Sequence, residues 1–150
     1  MKKLYAVAIF LTAIALIISS CSSTKESTEK KEIHYSYTKH KIKYLDLKIG
    51  TGETPKIGDK VTVYTKVTTE DGIVLEDNFK DKKPISFILY DIDSENLEVI
   101  KGLAEGIMTM KKGGVRKLWV PPQMAFGNRK TGDIPSNSML IVEVELIGIN

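Results

Sequence analysis

The sequence of 150 residues predicts an α+β fold, with five or six antiparallel strands wrapped around one short α-helix. Two patterns carry that expectation. The body of the chain repeatedly alternates apolar and polar side chains, the mark of a sheet with one buried and one wet face. A single body segment has helical periodicity instead: Val99, Ile100, Leu103, Ile107 and Met110 fall on one stripe. Composition agrees with a globular domain, at 42% hydrophobic and 27% charged.

Before the body comes a different region. Lys2 and Lys3 precede an apolar run from Leu4 to Ile18, and Ile18-Ser-Ser-Cys21 ends it. The run is short for a membrane span and suited to the core of a signal peptide. Ile-Ser-Ser-Cys resembles the bacterial lipobox. That resemblance implies cleavage after residue 20 and acylation of Cys21, each buried CH₂ holding the protein on a membrane by about 0.8 kcal/mol. Cys21 is the only cysteine, so no internal disulfide is possible. Residues 22–41 are polar, with alternating charges, and read as a flexible tether. His34 and His40 lie in it and read as solvated rather than metal-ligating. The expected division is 1–20 signal peptide, 21–43 lipidated cysteine and tether, and 44–150 folded domain.

The domain opens with Leu45–Ile49, an alternating strand. Gly50 to Asp59 is a turn-rich loop without the Gly-Lys-Ser/Thr of a phosphate loop. Val61–Thr69 is a second strand, turned back at Glu70-Asp-Gly72 into Ile73-Val-Leu75. Pro84 starts another strand, Ile85–Tyr90. Asp91 to Leu97 then delays the helix. Its acidic residues read as a solvated loop, since a calcium site needs more oxygens at set spacing. Gly102 and Gly106 lie inside the helix and each costs about 1 kcal/mol relative to Ala, which implies close approach by a neighbouring element. Gly113-Gly114 reverses the chain into Val115–Val120, and Pro121-Pro122 stops that strand because neither proline can donate to a ladder. A long loop from Gln123 to Asn137 leads to the last strand, Met139–Ile147.

The runs Val99-Ile-Lys-Gly-Leu-Ala-Glu-Gly106, Met110-Lys-Lys-Gly-Gly114 and Leu118-Trp-Val-Pro-Pro-Gln-Met-Ala-Phe-Gly127 resemble the FKBP-type peptidyl-prolyl isomerases. The resemblance covers residues 44–150 and implies an FKBP-like half-barrel sheet around the helix. It places a substrate pocket at Tyr64, Phe87, Val99, Ile100 and Ile134, with the backbone N–H of Ile100 holding a substrate carbonyl. The sequence departs from the family's pattern at Leu75-Glu76, where a Phe-Asp pair is usual, and at Ile85, Leu103, Phe126 and Val142. The implied cup is therefore more aliphatic and poorer in hydrogen-bond donors. The family's macrolide ligands use the missing contacts, so the departures weigh more against macrolide binding than against isomerisation.

Strand alternation conflicts with one of these placements. It groups Tyr64 with Thr62 and Lys66, and Val61, Val63 and Val67 on the other face. Either both faces are partly covered or the strand is bulged. Trp119 should likewise point away from Leu118 and Val120, as a contact patch or packed beneath a loop. Lys111-Lys112 and Arg116-Lys117 read as solvated charges.

From Tyr44 onward there is no histidine and no cysteine, which excludes Ser-His-Asp and Cys-His hydrolases and His/Cys zinc sites in the domain. The formal charge of +3 falls to +1 without residues 1–20, so nothing points to nucleic acid. Prolyl isomerisation needs no acid, base, nucleophile, metal or cofactor. Its barrier of about 18–20 kcal/mol is the lost resonance of a twisted peptide bond. The expected function is a membrane-anchored isomerase in the bacterial envelope, outside the cytoplasm, acting on X-Pro bonds of exported polypeptides. The alternative is an FKBP-like binding or scaffold module with weak or no catalysis.

Overall fold

The computed structural model describes residues 33–150, and the expected signal peptide, Cys21 and the first part of the expected tether lie outside the described residues. Residues 33–43, expected as tether, belong to the folded unit. Polar neighbours in the sequence conceal one apolar anchor, Ile42, which is fully buried in the core. A tight turn places it there: the Lys41 N–H donates to the Thr38 carbonyl at 3.0 Å, and the Ile42 N–H to Thr38 Oγ1 at 3.1 Å. His40 is also engaged. Its backbone N–H donates to Glu105 Oε1 at 2.8 Å, and its Nδ1 lies 3.1 Å from the same oxygen.

The expected α+β architecture is present as one antiparallel sheet of seven strands. β1 (Ser36–Tyr37) is the strand added by the tether segment. β2 (Lys43–Lys48), β3 (Lys60–Thr69), β4 (Val74–Asp77), β5 (Ile85–Ile88), β6 (Val115–Val120) and β7 (Leu140–Ile149) follow, in the sheet order β1-β2-β6-β7-β3-β4. β5 also pairs with β3, along Lys60–Val63, whereas β4 takes Lys66–Thr68. The short α1 (Asn78–Asp81) fills the gap between them. There the Thr65 N–H would lack a strand partner, and Asn78 Oδ1 accepts it at 2.6 Å.

α2 (Lys101–Met108) lies across the inner face of the sheet. Leu103, Ala104 and Ile107 meet Val61, Val63, Leu118, Val120, Val142 and Val144 in one core. The two helical glycines permit this approach. A Cβ on Gly102 would lie 2.3 Å from Val120 Cγ1, and one on Gly106 2.5 Å from Leu118 Cδ1. Val120 is β-branched and buried, so it has little room to give. Gly102→Ala is expected to destabilise the domain by about 1–3 kcal/mol, the overpacking outweighing the helix-propensity gain. Val120→Ala should recover part of that loss, as measured by urea unfolding of the single and double variants.

Arg116 corrects an expectation. Strand alternation turns it inward, where it is 3% exposed. Its Nε and Nη2 donate to the two Asp46 carboxylate oxygens at 2.7 and 3.1 Å. Its Nη1 donates to the Gly106 carbonyl at 2.8 Å and to Thr109 Oγ1 at 2.6 Å, and the Tyr44 ring lies 3.9 Å from the guanidinium carbon. The guanidinium thus closes the C-terminal end of α2, where helix carbonyls lack partners.

Candidate functional site

A cavity of about 750 Å³ opens between the inner face of the sheet and the N-terminal end of α2. β3 contributes Thr65 and Val67, and β5 contributes Ile85. β4 contributes two consecutive residues, Leu75 and Glu76, which regular alternation forbids. The register shows why: Val67 faces Glu76 while Thr68 faces Val74, so Leu75 is the extra residue of a β-bulge. Asp77 keeps the opposite face. There its carboxylate lies 3.3 Å from Lys66 Nζ and caps α1 through the Lys80 N–H.

The second wall comes from residues ahead of the helix. Ser94, Leu97 and Glu98 line the cavity from the acidic segment, whose turn is held by Ser94 N–H to the Asp91 carbonyl at 2.9 Å. Among the described residues there is no cluster of metal-ligating side chains, in this segment or elsewhere. Val99 and Ile100 follow, and Ile100 is the Ncap of α2 with φ −59° and ψ 142°. Its carbonyl accepts from Leu103 and Ala104, so its own N–H precedes the first intrahelical bond. Leu103, 4% exposed, forms the floor from the first turn. The long loop after β6 supplies the roof, with Ala125, Phe126, Arg129 and Ile134.

The site is therefore an apolar cup with a few polar groups at defined places. Glu76 is the best anchored of them. Asn78 Nδ2 and Thr65 Oγ1 donate to its Oε1 at 3.2 and 3.3 Å, and Asn78 Nδ2 also donates to Thr65 Oγ1 at 3.0 Å. Lys101, Arg129 and Glu98 place charges of both signs around the cup.

Of the residues expected from sequence, Leu75, Glu76, Ile85, Val99, Ile100, Leu103, Phe126 and Ile134 line this cavity. Tyr64, Phe87 and Val142 do not. Tyr64 lies on the outer face opposite Glu145, stacked on Phe79 with ring centroids 5.5 Å apart. Alternation along β3 prevails, and Thr65 occupies the inward place. Phe87 and Val142 are buried in the core, 4% and 0% exposed. Tyr64→Ala is accordingly expected to cost about 1–2 kcal/mol of stability through the lost ring pair while leaving the cavity lining unchanged. Thermal unfolding of the variant measures the loss.

Sequence reasoning missed Thr65 and Val67 on β3, Lys101 and Leu140 on the helix and the last strand, and Ser94, Leu97, Glu98, Ala125 and Arg129 in the loops. The alternation of β3 contained the signal for the first two. The loop residues sit in irregular segments without a periodic signal.

The site is thus an apolar cup closed on one side by the start of α2 and on the other by the long loop after β6, in an antiparallel α+β sheet fold. Residues 51–147 match the family model described as FKBP-type peptidyl-prolyl cis-trans isomerase, and the chain belongs to that family. It is 36% identical over 127 residues to the FKBP-type peptidyl-prolyl cis-trans isomerase FkpA of Escherichia coli (strain K12), covering 83% of this chain and 44% of the relative. It is 41% identical over 101 residues to FK506-binding protein 1A of Neurospora crassa, covering 67% of this chain and 79% of that protein. The crystal structure of FkpA from Escherichia coli superposes with a TM-score of 0.70 at 35% identity, over 80% of this chain and 53% of that one. The chain spans about half the length of the FkpA relatives it matches.

Proposed function

We propose that the protein is a peptidyl-prolyl cis-trans isomerase, lipid-anchored at Cys21, that assists the folding of exported polypeptides. The observation that carries the catalytic part is the apolar cup at the N-terminal end of α2, in a chain of this family. A planar amide is more charge-separated than a twisted one, so moving an X-Pro bond from water into the cup favours the twisted form. Leu75, Ile85, Val99, Leu103 and Phe126 supply the apolar wall. The Ile100 N–H holds the carbonyl of the substrate, fixing one side of the bond while the other rotates. Glu76, held by Thr65 and Asn78, orients the chain at the rim.

A second reading, a binding module with little catalysis, is favoured by one observation: among the described residues Phe126 is the only aromatic one lining the cup, and it carries no hydroxyl. Cis/trans exchange of proline peptides with an apolar preceding residue separates the two. Acceleration that scales with protein concentration supports the enzyme, and none at high concentration leaves the binding module.

The anchor is supported by the basic, apolar and Ile-Ser-Ser-Cys pattern of residues 2–21. Among the described residues, no helix is long and apolar enough to cross a membrane. Cys21→Ala is expected to move the protein from the membrane fraction to the soluble or precursor fraction. Unchanged tight attachment of a processed variant, one that has lost residues 1–20, would refute lipidation at this residue.

A further inference from the structure

We propose that the outer sheet face at its β1–β2 end is a membrane-contact surface that seats the domain on an anionic bilayer. This rests on the reading of Cys21 as the lipid-bearing residue. The cup occupies the inner face of the sheet. The outer face carries a separate cluster of aromatic rings and lysines. Tyr35 packs edge-on against Trp119, with centroids 5.5 Å apart and an interplanar angle of 77°. Lys43 Nζ lies 3.7 Å from the Tyr35 ring centroid and 5.1 Å from that of Trp119, and Lys117 Nζ lies 5.5 Å from the latter. Ile33 and Tyr37 are 60% and 64% exposed, and Tyr35 is 40% exposed. Lys39 and Lys41 stand exposed on the adjoining turn.

Two features identify the occupant. The first is charge. Tryptophan and tyrosine rings suit the headgroup region, and lysines near a surface of anionic lipid are attracted to it. Asp46 is bound by Arg116 on the inner side and Glu105 is buried beneath His40. Glu143, the cross-strand partner of Lys117 on β7, is the acid that adjoins the cluster on this face, and Lys39, Lys41 and Lys43 stand on the side away from it. The second is chain length. Only residues 22–32 separate Cys21 from Ile33, so the span between the acyl chains and the cluster is at most about 40 Å. The tether thus holds this cluster near the bilayer at an effective concentration about millimolar, enough for a weak surface to be occupied. Seated in this way, the domain turns the cup on the opposite face toward the aqueous side.

Trp119 is the sole tryptophan and reports directly on this face. The mature lipidated protein is reconstituted into vesicles of phosphatidylcholine alone or with phosphatidylglycerol, and Trp119 quenching by headgroup-labelled lipid is read after flotation. Quenching is expected to be at least about twofold greater on the anionic vesicles and to fall with added salt. Lys43→Glu with Lys117→Glu should abolish the anionic preference, leaving quenching about equal on the two vesicle types. Lys39→Glu with Lys41→Glu, which leaves the ring cluster intact, should act in the same direction. Equal, weak quenching on both vesicle types with the protein floating overturns the proposal and leaves the anchor standing. Failure to float with either overturns the anchor reading and this one with it. A Trp119 change that tracks protein density on neutral vesicles assigns the face to a second copy of the chain instead and also overturns the proposal.

Discussion

Ile100→Pro is expected to lower kcat/KM about 10- to 100-fold with the fold intact. The backbone makes this an unusually clean substitution. Ile100 has φ −59° and ψ 142°, which a proline ring accommodates, and its N–H takes no part in the helix. What the change removes is the donor assigned to the substrate carbonyl. It also removes part of an apolar side chain, so Ile100→Ala is the necessary control. The alanine variant keeps the donor and should lose much less activity. If both variants lose activity equally, the side chain and not the N–H carries the effect, and the proposed carbonyl contact is wrong. Cis/trans exchange followed without a coupling protease gives both rates, and a thermal melt of each variant checks the fold.

Arg116→Ala is expected to have the largest effect on stability, about 3–5 kcal/mol, read by urea unfolding. The guanidinium is 3% exposed and serves three groups at once. Its removal frees Asp46 to water but leaves the Gly106 carbonyl and the end of α2 without a donor. Arg116→Lys should rescue little. A lysine offers one charged point, where this site needs a fork that meets two carboxylate oxygens and a carbonyl on the other side. Asp46→Asn should cost less, about 1–2 kcal/mol, because the Asp46 side chain is 31% exposed and water already competes for it. Loss of Arg116 also loosens the helix whose opposite end builds the cup, so a fall in activity should accompany the fall in stability.

These two residues show how the chain's legibility divides. Strand alternation and a single helical stripe were enough for the α+β sheet, and the Val99-Ile-Lys-Gly-Leu motif was enough for the place of the cup. Periodicity was also the better guide to Tyr64. Its conflict with the resemblance is resolved in favour of alternation, with Thr65 inward. Alternation failed at β4, because a bulge is one inserted residue and leaves no mark in composition. It also turned Arg116 inward, yet a charge beside Lys117 reads as surface unless its partners are known. Those partners, Asp46 and the Gly106 carbonyl, lie 70 and 10 residues away and meet it only in the folded chain. Residues 33–43 were hidden for a similar reason. One buried isoleucine, one histidine–glutamate contact and the Tyr35–Trp119 ring pair hold a segment whose sequence carries no regular apolar period.

The pairing of β3 with β7 has a consequence for how the protein is made. It joins Val61 to Ile149 and Thr69 to Leu140, so the centre of the sheet consists of contacts between distant parts of the chain. Closing such loops before any contact forms makes this kind of topology slow to fold. During synthesis from the N-terminus, β3 and its near neighbours β4 and β5 are complete long before β7 exists. They can form no more than an open edge until the last strand arrives. The sheet therefore cannot close until the ten residues of β7 have been made, and its centre is the last part of the molecule to become possible.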